Sequence, residues 1–250
     1  MTIRDAQGTV DDKIPVKNVL VSVFDKTGLE VLIPGLVETQ DANGMEVMIM
    51  STGGTYKSIE AILGPSAEKH LTEVAEYTQF PEMEGGLVKT LHPKIHAGIL
   101  GERNNPAHQA YLQDQLGGAV YIDMVVVNLY PFKDIVSKIQ AGEVNPKTGK
   151  PYDFESARGN IDIGGPAMIR GASKNFLGCA AVCDPADYVR VLQTILANDG
   201  CTTFDQRTEL APKAFEMSAA YDNTIARYML NEIVRNRQAL RNCYTFSDTR

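Results

Sequence analysis

Tryptophan is absent from the 250 residues, and the four cysteines form no CxxC pair. Cys179, Cys183, Cys201 and Cys243 are therefore expected to be buried, reduced thiols, with a metal site the weaker alternative. No stretch of 18 apolar residues occurs, so no transmembrane helix is expected. Residues 1–17 lack the apolar core of a signal peptide and show no periodicity; they read as a flexible leader on a cytoplasmic protein. A basic run is also missing: 24 Lys and Arg stand against 31 Asp and Glu, for a formal net charge of −7. That balance argues against a sequence-independent grip on nucleic acid, which needs clustered cations. A small anionic ligand stays open, because local glycine-rich loops at helix starts bind phosphate even on an acidic protein.

What is present is an alternation of strand and helix. Apolar runs at 19–24, 46–50, 71–74, 122–129 and 177–183 read as strands. Helical patterns follow at 29–38, with Pro34 inside it, and at 55–63, stopped by Gly64 and Pro65. Further helices are predicted over 164–173, from an Asp184 cap to 197, and over 205–237. The last carries an apolar stripe of Leu210, Ala214, Met217, Tyr221, Ile225 and Tyr228, with Pro212 expected to kink or delay its start. Strands alternating with helices argue for βαβ units: an α/β fold, a doubly wound and mostly parallel sheet, with a helical C-terminal extension. One domain is expected over 18–237, followed by a tail at 238–250, and 142–152 reads as a surface loop.

Chemistry-bearing residues gather at the predicted strand ends. Lys26, Thr27 and Gly28 follow the first strand; Thr52, Gly53, Gly54 and Thr55 follow the second. Both loops precede helices, so both lie at the carboxyl edge of a parallel sheet, where ligands bind. Glycine lets backbone approach a phosphate closely, and Lys26 and the hydroxyls add donors. Tight turns with capping residues are the plainer account of either loop alone. The segment 85–96 is rich in Gly, Lys and His: Lys89 can hold an anion or a developing oxyanion, while His92 and His96 have the spacing of a helical metal pair interrupted by Pro93. Structural histidines are the better reading, and no metal site is assigned. Asn128 and Tyr130 end the strongest strand. Asp162, Ile163 and Gly164 open a helix that runs on towards Lys174.

These segments resemble, in order from Lys17 to Leu230, the IMP cyclohydrolase domain of the bifunctional purine biosynthesis family, which joins an AICAR formyltransferase to an IMP cyclohydrolase. The matching stretches are 22–28, 51–55, 80–83, 88–92, 128–132, 161–165, 172–175, 210–215 and 220–222. The resemblance implies a methylglyoxal-synthase-like fold and a homodimer. It implies dehydrative ring closure of 5-formamidoimidazole-4-carboxamide ribonucleotide (FAICAR) to IMP, with no metal or redox cofactor. A purine nucleotide is then the substrate, and a separate AICAR formyltransferase a partner, since the formyltransferase domain has no counterpart in these residues. Catalytic positions carry over to Lys89, Tyr130, Asp162 and Lys174. Substrate contacts carry over to Lys26, Thr27, Gly28, Thr52, Gly53, Gly54, Thr55, Thr90, Asn128, Ile163 and Gly164. Phe24 and Leu87 depart from the family, which usually has serine and arginine there. A methylglyoxal-synthase-like enzyme and a non-catalytic purine-nucleotide-binding protein on the same fold are the rival readings. The segment 89–93 and the intact catalytic positions count against them.

Overall fold

The computed structural model describes residues 9–245 except 42, 43, 45, 82, 84–86, 147 and 243. The expectations for residues 1–8, Glu82, Gly85, Gly86, Cys243 and 246–250 lie outside the described residues. In chain order the elements are β1 (Lys13–Pro15), β2 (Asn18–Val23), α1 (Leu29–Asp41), β3 (Met48–Ser51), α2 (Gly53–Leu63), α3 (Ala67–His70), β4 (Leu71–Glu73) and α4 (Val74–Thr78). Then come α5 (Pro93–Leu100), α6 (Pro106–Ala110), β5 (Met124–Asn128), α7 (Phe132–Ala141), α8 (Phe154–Gly159), α9 (Gly164–Lys174) and β6 (Ala180–Val182). The chain ends with α10 (Tyr188–Ala197), β7 (Cys201–Thr203), α11 (Phe204–Leu230) and α12 (Arg237–Asn242).

Five strands form one parallel sheet in the order β4-β3-β2-β5-β6. Leu20, Val21, Ile49, Val125 and Val126 are fully buried, as expected of strands covered on both faces. The chain starts the sheet at β2, winds out through β3 and β4, and then returns to β5 on the other side of β2. The direction of winding reverses between β2 and β5, and the crevice beyond the carboxyl ends of such a pair is where ligands bind in open α/β sheets. The doubly wound parallel expectation holds.

Two compact units divide the chain: 1–128 with 164–216, and 129–163 with 217–250. The sequence predicts one domain with a helical extension; the second unit combines residues 129–163 with the C-terminal helices. In the first unit the sheet and α1, α2 and α10 share one core, which includes Leu32, Ile59, Tyr188, Val191 and Leu210. In the second, Phe132 meets Tyr228 edge-on at 5.7 Å and Tyr221 at 6.4 Å, and Phe154 stacks on Tyr228. The predicted stripe on α11 is thus shared out: Leu210 and Ala214 are buried in the first unit, and Tyr221, Ile225 and Tyr228 pack in the second. The helix runs through Pro212 from Phe204 rather than starting after it.

Residues 13–15 of the expected leader form a strand. Lys13, Ile14 and Pro15 pair antiparallel with Thr203, Thr202 and Cys201, and Ile14 is 2% exposed. Three residues carry no readable alternation, and the partner is nearly the whole chain away, so local pattern gave no signal. Cys179, Cys183 and Cys201 are free and buried, and burial pushes each thiol pKa up, Cys183 to about 11.

Candidate active site

The loop after β2 is tied down from three sides. Asp25 Oδ1 accepts the Thr27 amide at 2.9 Å, an Asx turn that leads into α1. The Thr27 hydroxyl and amide, helped by Lys26, hold the Asp25 carboxyl below its usual range. Asn128, at the end of β5, accepts the Phe24 and Asp25 amides on Oδ1 at 2.7 and 2.9 Å, and its Nδ2 donates to the Asp25 carbonyl at 2.8 Å. From α2, the Thr55 hydroxyl accepts the Val23 amide at 3.2 Å and donates to the Val23 carbonyl at 2.9 Å. Gly28 has φ +81°, and a Cβ there would lie 2.9 Å from the Tyr188 ring, so no other residue fits that turn. Lys26 and Thr27 remain at the surface.

The loop after β3 begins α2. Thr52 occupies the capping position in extended conformation and makes no side-chain cap bond. Its carbonyl accepts the Thr55 and Tyr56 amides. The first-turn N–H groups of Gly53 and Gly54 have no intrahelical acceptor, and the helix dipole makes this end attractive to anions. The Lys89 Nζ lies 3.6 Å from where a Cβ on Gly53 would stand, and Gly53 has φ +50°. Lys89 therefore brings its ammonium to the α2 N-terminus. Its neighbour Thr90 is buried, with Oγ1 only 2.6 Å from the site of a Cβ on Gly164, the first residue of α9. Val88 turns the chain just before Lys89 with φ +58°, a left-handed conformation that a β-branched residue adopts only when its surroundings impose it.

Four predicted groups thus converge in the first unit: the Gly53–Gly54 turn, Lys89, Thr90 and Gly164. Lys174 is not brought to them. It closes α9, ten residues after Gly164, or roughly 15 Å of helical rise. The predicted helix was right, but its length carries Lys174 towards the other edge of the sheet. His92 caps α5 from outside the helix, with φ −126° and its Nδ1 accepting the Lys94 amide at 3.2 Å. It therefore does not share a helical face with His96, and the i, i+4 metal pair is not formed. Burial lowers the pKa of both histidines, with Lys94 adding to the shift at His92.

Tyr130, Asp162 and Ile163 belong to the second unit. Tyr130 and Ile163 are exposed. The Asp162 amide donates to the Tyr221 hydroxyl at 2.8 Å, which fixes the backbone of the segment leading into α9. Tyr221 reads in the sequence as part of an apolar stripe and of the matching stretch 220–222; its hydroxyl is the polar handle that spacing alone does not reveal. Asp25 lies in the matching stretch 22–28 without an assigned role, and its Asx turn gives it one.

Among known proteins, the AICARFT/IMPCHase bienzyme family profile matches residues 172–248. The bifunctional purine biosynthesis protein PurH of Rhizobium rhizogenes is 44% identical over 217 residues, covering 87% of this chain and 36% of its own length. PurH of Rhodospirillum rubrum is 42% identical over 220 residues, 88% of this chain and 37% of its own. The crystal structure of ForH superposes with a TM-score of 0.62 at 28% identity, covering 84% of this chain and 96% of that one. The chain spans little more than a third of the PurH relatives it matches. With more than 40% identity sustained along 217 residues, the chain belongs to the AICARFT/IMPCHase family of bifunctional purine biosynthesis proteins.

Proposed function

We propose that the chain is an IMP cyclohydrolase, closing the pyrimidine ring of FAICAR with loss of water. The observation that supports this best is the placement of Lys89 against the first turn of α2, beside Thr90 and the start of α9. A cation beside the first-turn N–H groups of a helix suits the anionic and oxyanionic atoms of a nucleotide undergoing acyl-type chemistry. Lys26, Thr27, Gly28, Thr52, Gly53, Gly54 and Thr90 hold the phosphate and ribose in this reading, and Ile163 and Gly164 line the base. Two reacting groups already fixed on one ring need orientation more than activation. The carboxamide nitrogen attacks the formyl carbon, forming the C–N bond. Lys89 stabilises the resulting alkoxide and assists its departure as water. Asp162 holds or takes the carboxamide proton, and Tyr130 relays one. Lys174 acts from outside this cluster. The protein works in the cytoplasm as a homodimer, and an AICAR formyltransferase activity supplies FAICAR.

The test is ultraviolet detection of IMP formed from FAICAR by the purified chain. Lys89→Ala should lower kcat by about 100- to 1000-fold, the cost of one preorganised oxyanion partner, and change KM less. A Lys89→Ala enzyme with full kcat and a raised KM would move Lys89 from the reacting atoms to ground-state binding. No IMP from the wild-type chain would remove the reading altogether.

A further inference from the structure

Thr55 and Asn128 have the sequence context of ligand contacts, yet their polar atoms are engaged by the protein's own backbone. We infer that the two form a clamp that holds the 23–25 backbone in the shape that binds the nucleotide phosphate, acting as positioning residues rather than as ligands. This rests on the cyclohydrolase reading.

The clamp is two-sided. Thr55 reaches from α2 on the β3 side, and its hydroxyl engages both the amide and the carbonyl of Val23 at 3.2 and 2.9 Å. Asn128 reaches from β5 on the other side, its Oδ1 shared by the Phe24 and Asp25 amides and its Nδ2 on the Asp25 carbonyl. Every amide from Val23 to Asp25 is thereby taken by the side chain of Thr55 or Asn128. The Asp25 carboxylate then takes the Thr27 amide. A phosphate at this loop is consequently left with the exposed Lys26 side chain, and not with the amides of 23–25. β2 and β5 flank the point where the sheet reverses its winding, so without cross-strand ties the loop between them has no ladder to hold it open. Thr55 is buried, which keeps water from competing for the Val23 groups. A loop held in its bound shape before the ligand arrives loses less freedom on binding.

The experiment compares IMP with inosine, which lacks the phosphate, by calorimetry on the full chain. Wild type should bind IMP more tightly than inosine. Thr55→Val, which removes the hydroxyl and keeps the shape, and Asn128→Leu should each weaken IMP about tenfold and leave inosine within about twofold. Thr55→Ser should restore the wild-type ratio, and Asn128→Asp, which keeps the acceptor and loses the donor, should fall between. Equal losses for IMP and inosine would mean direct contact with the nucleoside and would overturn the clamp, as would unchanged affinity for both. Amide exchange of the unliganded chain supplies a readout independent of the ligand. The Phe24 and Asp25 amides should be protected in wild type and exchange faster in Asn128→Leu, and Val23 likewise in Thr55→Val. Unchanged exchange in both variants would overturn the clamp. A wild type that binds neither ligand but shows these exchange effects would refute the cyclohydrolase reading alone.

Discussion

At the scale of single residues, Arg207 is the most demanding side chain in the first unit. It is fully buried, and its guanidinium donates to the carbonyls of Phe176, Asp12, Thr202, Asp11 and Leu177. Burial pulls its pKa down, yet a planar fork that satisfies five carbonyls keeps the proton, because each carbonyl favours the charged form. Arg207→Lys offers three donors from one point and should cost about 2–4 kcal/mol. Arg207→Met strands the carbonyls and should cost about 3–5 kcal/mol. Urea midpoints check both; losses below about 1 kcal/mol would mean that water replaces the guanidinium at no penalty.

His92 makes a second prediction at this scale. Its Nδ1 must be unprotonated to accept the Lys94 amide, and burial, with Lys94 nearby, holds its pKa below the ordinary 6.5. The unfolded chain therefore binds this proton more readily than the folded one. Stability from this group is complete above about pH 6.5 and declines as the pH falls from there towards the folded value. His96 shifts in the same direction. Replacing His92 with Asn keeps a capping acceptor that does not titrate. Urea unfolding at pH 7.5 and 5.5 should show a shallower loss in His92→Asn than in wild type. Identical losses would assign the whole acid sensitivity to other groups.

At the scale of elements, the close approach of α1 and α10 depends on Gly35. A Cβ there would stand 2.0 Å from Leu192 Cδ2 and 3.1 Å from its Cγ, and Leu192 is buried. Gly35→Ala should destabilise by about 1–3 kcal/mol through overpacking. Combining it with Leu192→Ala should cost less than the sum of the single changes, because the new methyl fills the vacated space. Strict additivity in denaturation would show that the helices separate instead of repacking.

Elements also show what was legible. The sheet strands β2, β3, β4, β5 and β6 were predicted because buried parallel strands read as short apolar runs ended by Gly, Pro or capping residues. The loops at Lys26 and Gly53 were readable for the same reason: glycine after a strand and before a helix. The helices α5 and α8 were not, since each is short and borders Gly or Pro that read as loop; α7, ten residues long with Phe132 and Ile135 buried, was missed although its apolar spacing is legible. Residue types located the candidate site but did not say which way side chains point. Thr55 and Asn128 looked like ligand contacts, and only the coordinates show their polar atoms spent on Val23, Phe24 and Asp25. Lys174 entered through the resemblance alone, and it stands at the opposite end of α9 from Gly164.

At the scale of the whole molecule, exposed apolar side chains concentrate on one short stretch: Phe80, Met83, Leu87, Val88 and Leu91 are each 40% or more exposed. Such a cluster is unusual on a surface that meets only water, and it supports the proposed homodimer. Sedimentation across a dilution series should give twice the chain mass until low concentration, and Leu87→Glu should shift the midpoint upward. A single-chain mass at every concentration would leave the stretch to ligand binding alone.

The pairing of β1 with β7, locked by Arg207 onto the carbonyls of Asp11 and Asp12, has a consequence in time. About 190 residues separate the two sides of this closure. At a synthesis rate of about 5–20 residues per second, the first strand leaves the ribosome roughly 10–40 s before its partner exists. For that interval Ile14 is an apolar residue with nothing to cover it, while the sheet from β2 to β5 can already assemble. The amino-terminal strand therefore waits unpaired while most of the sheet is made, and a ribosome stalled before Arg207 would display it, open to proteolysis, on an otherwise half-built protein.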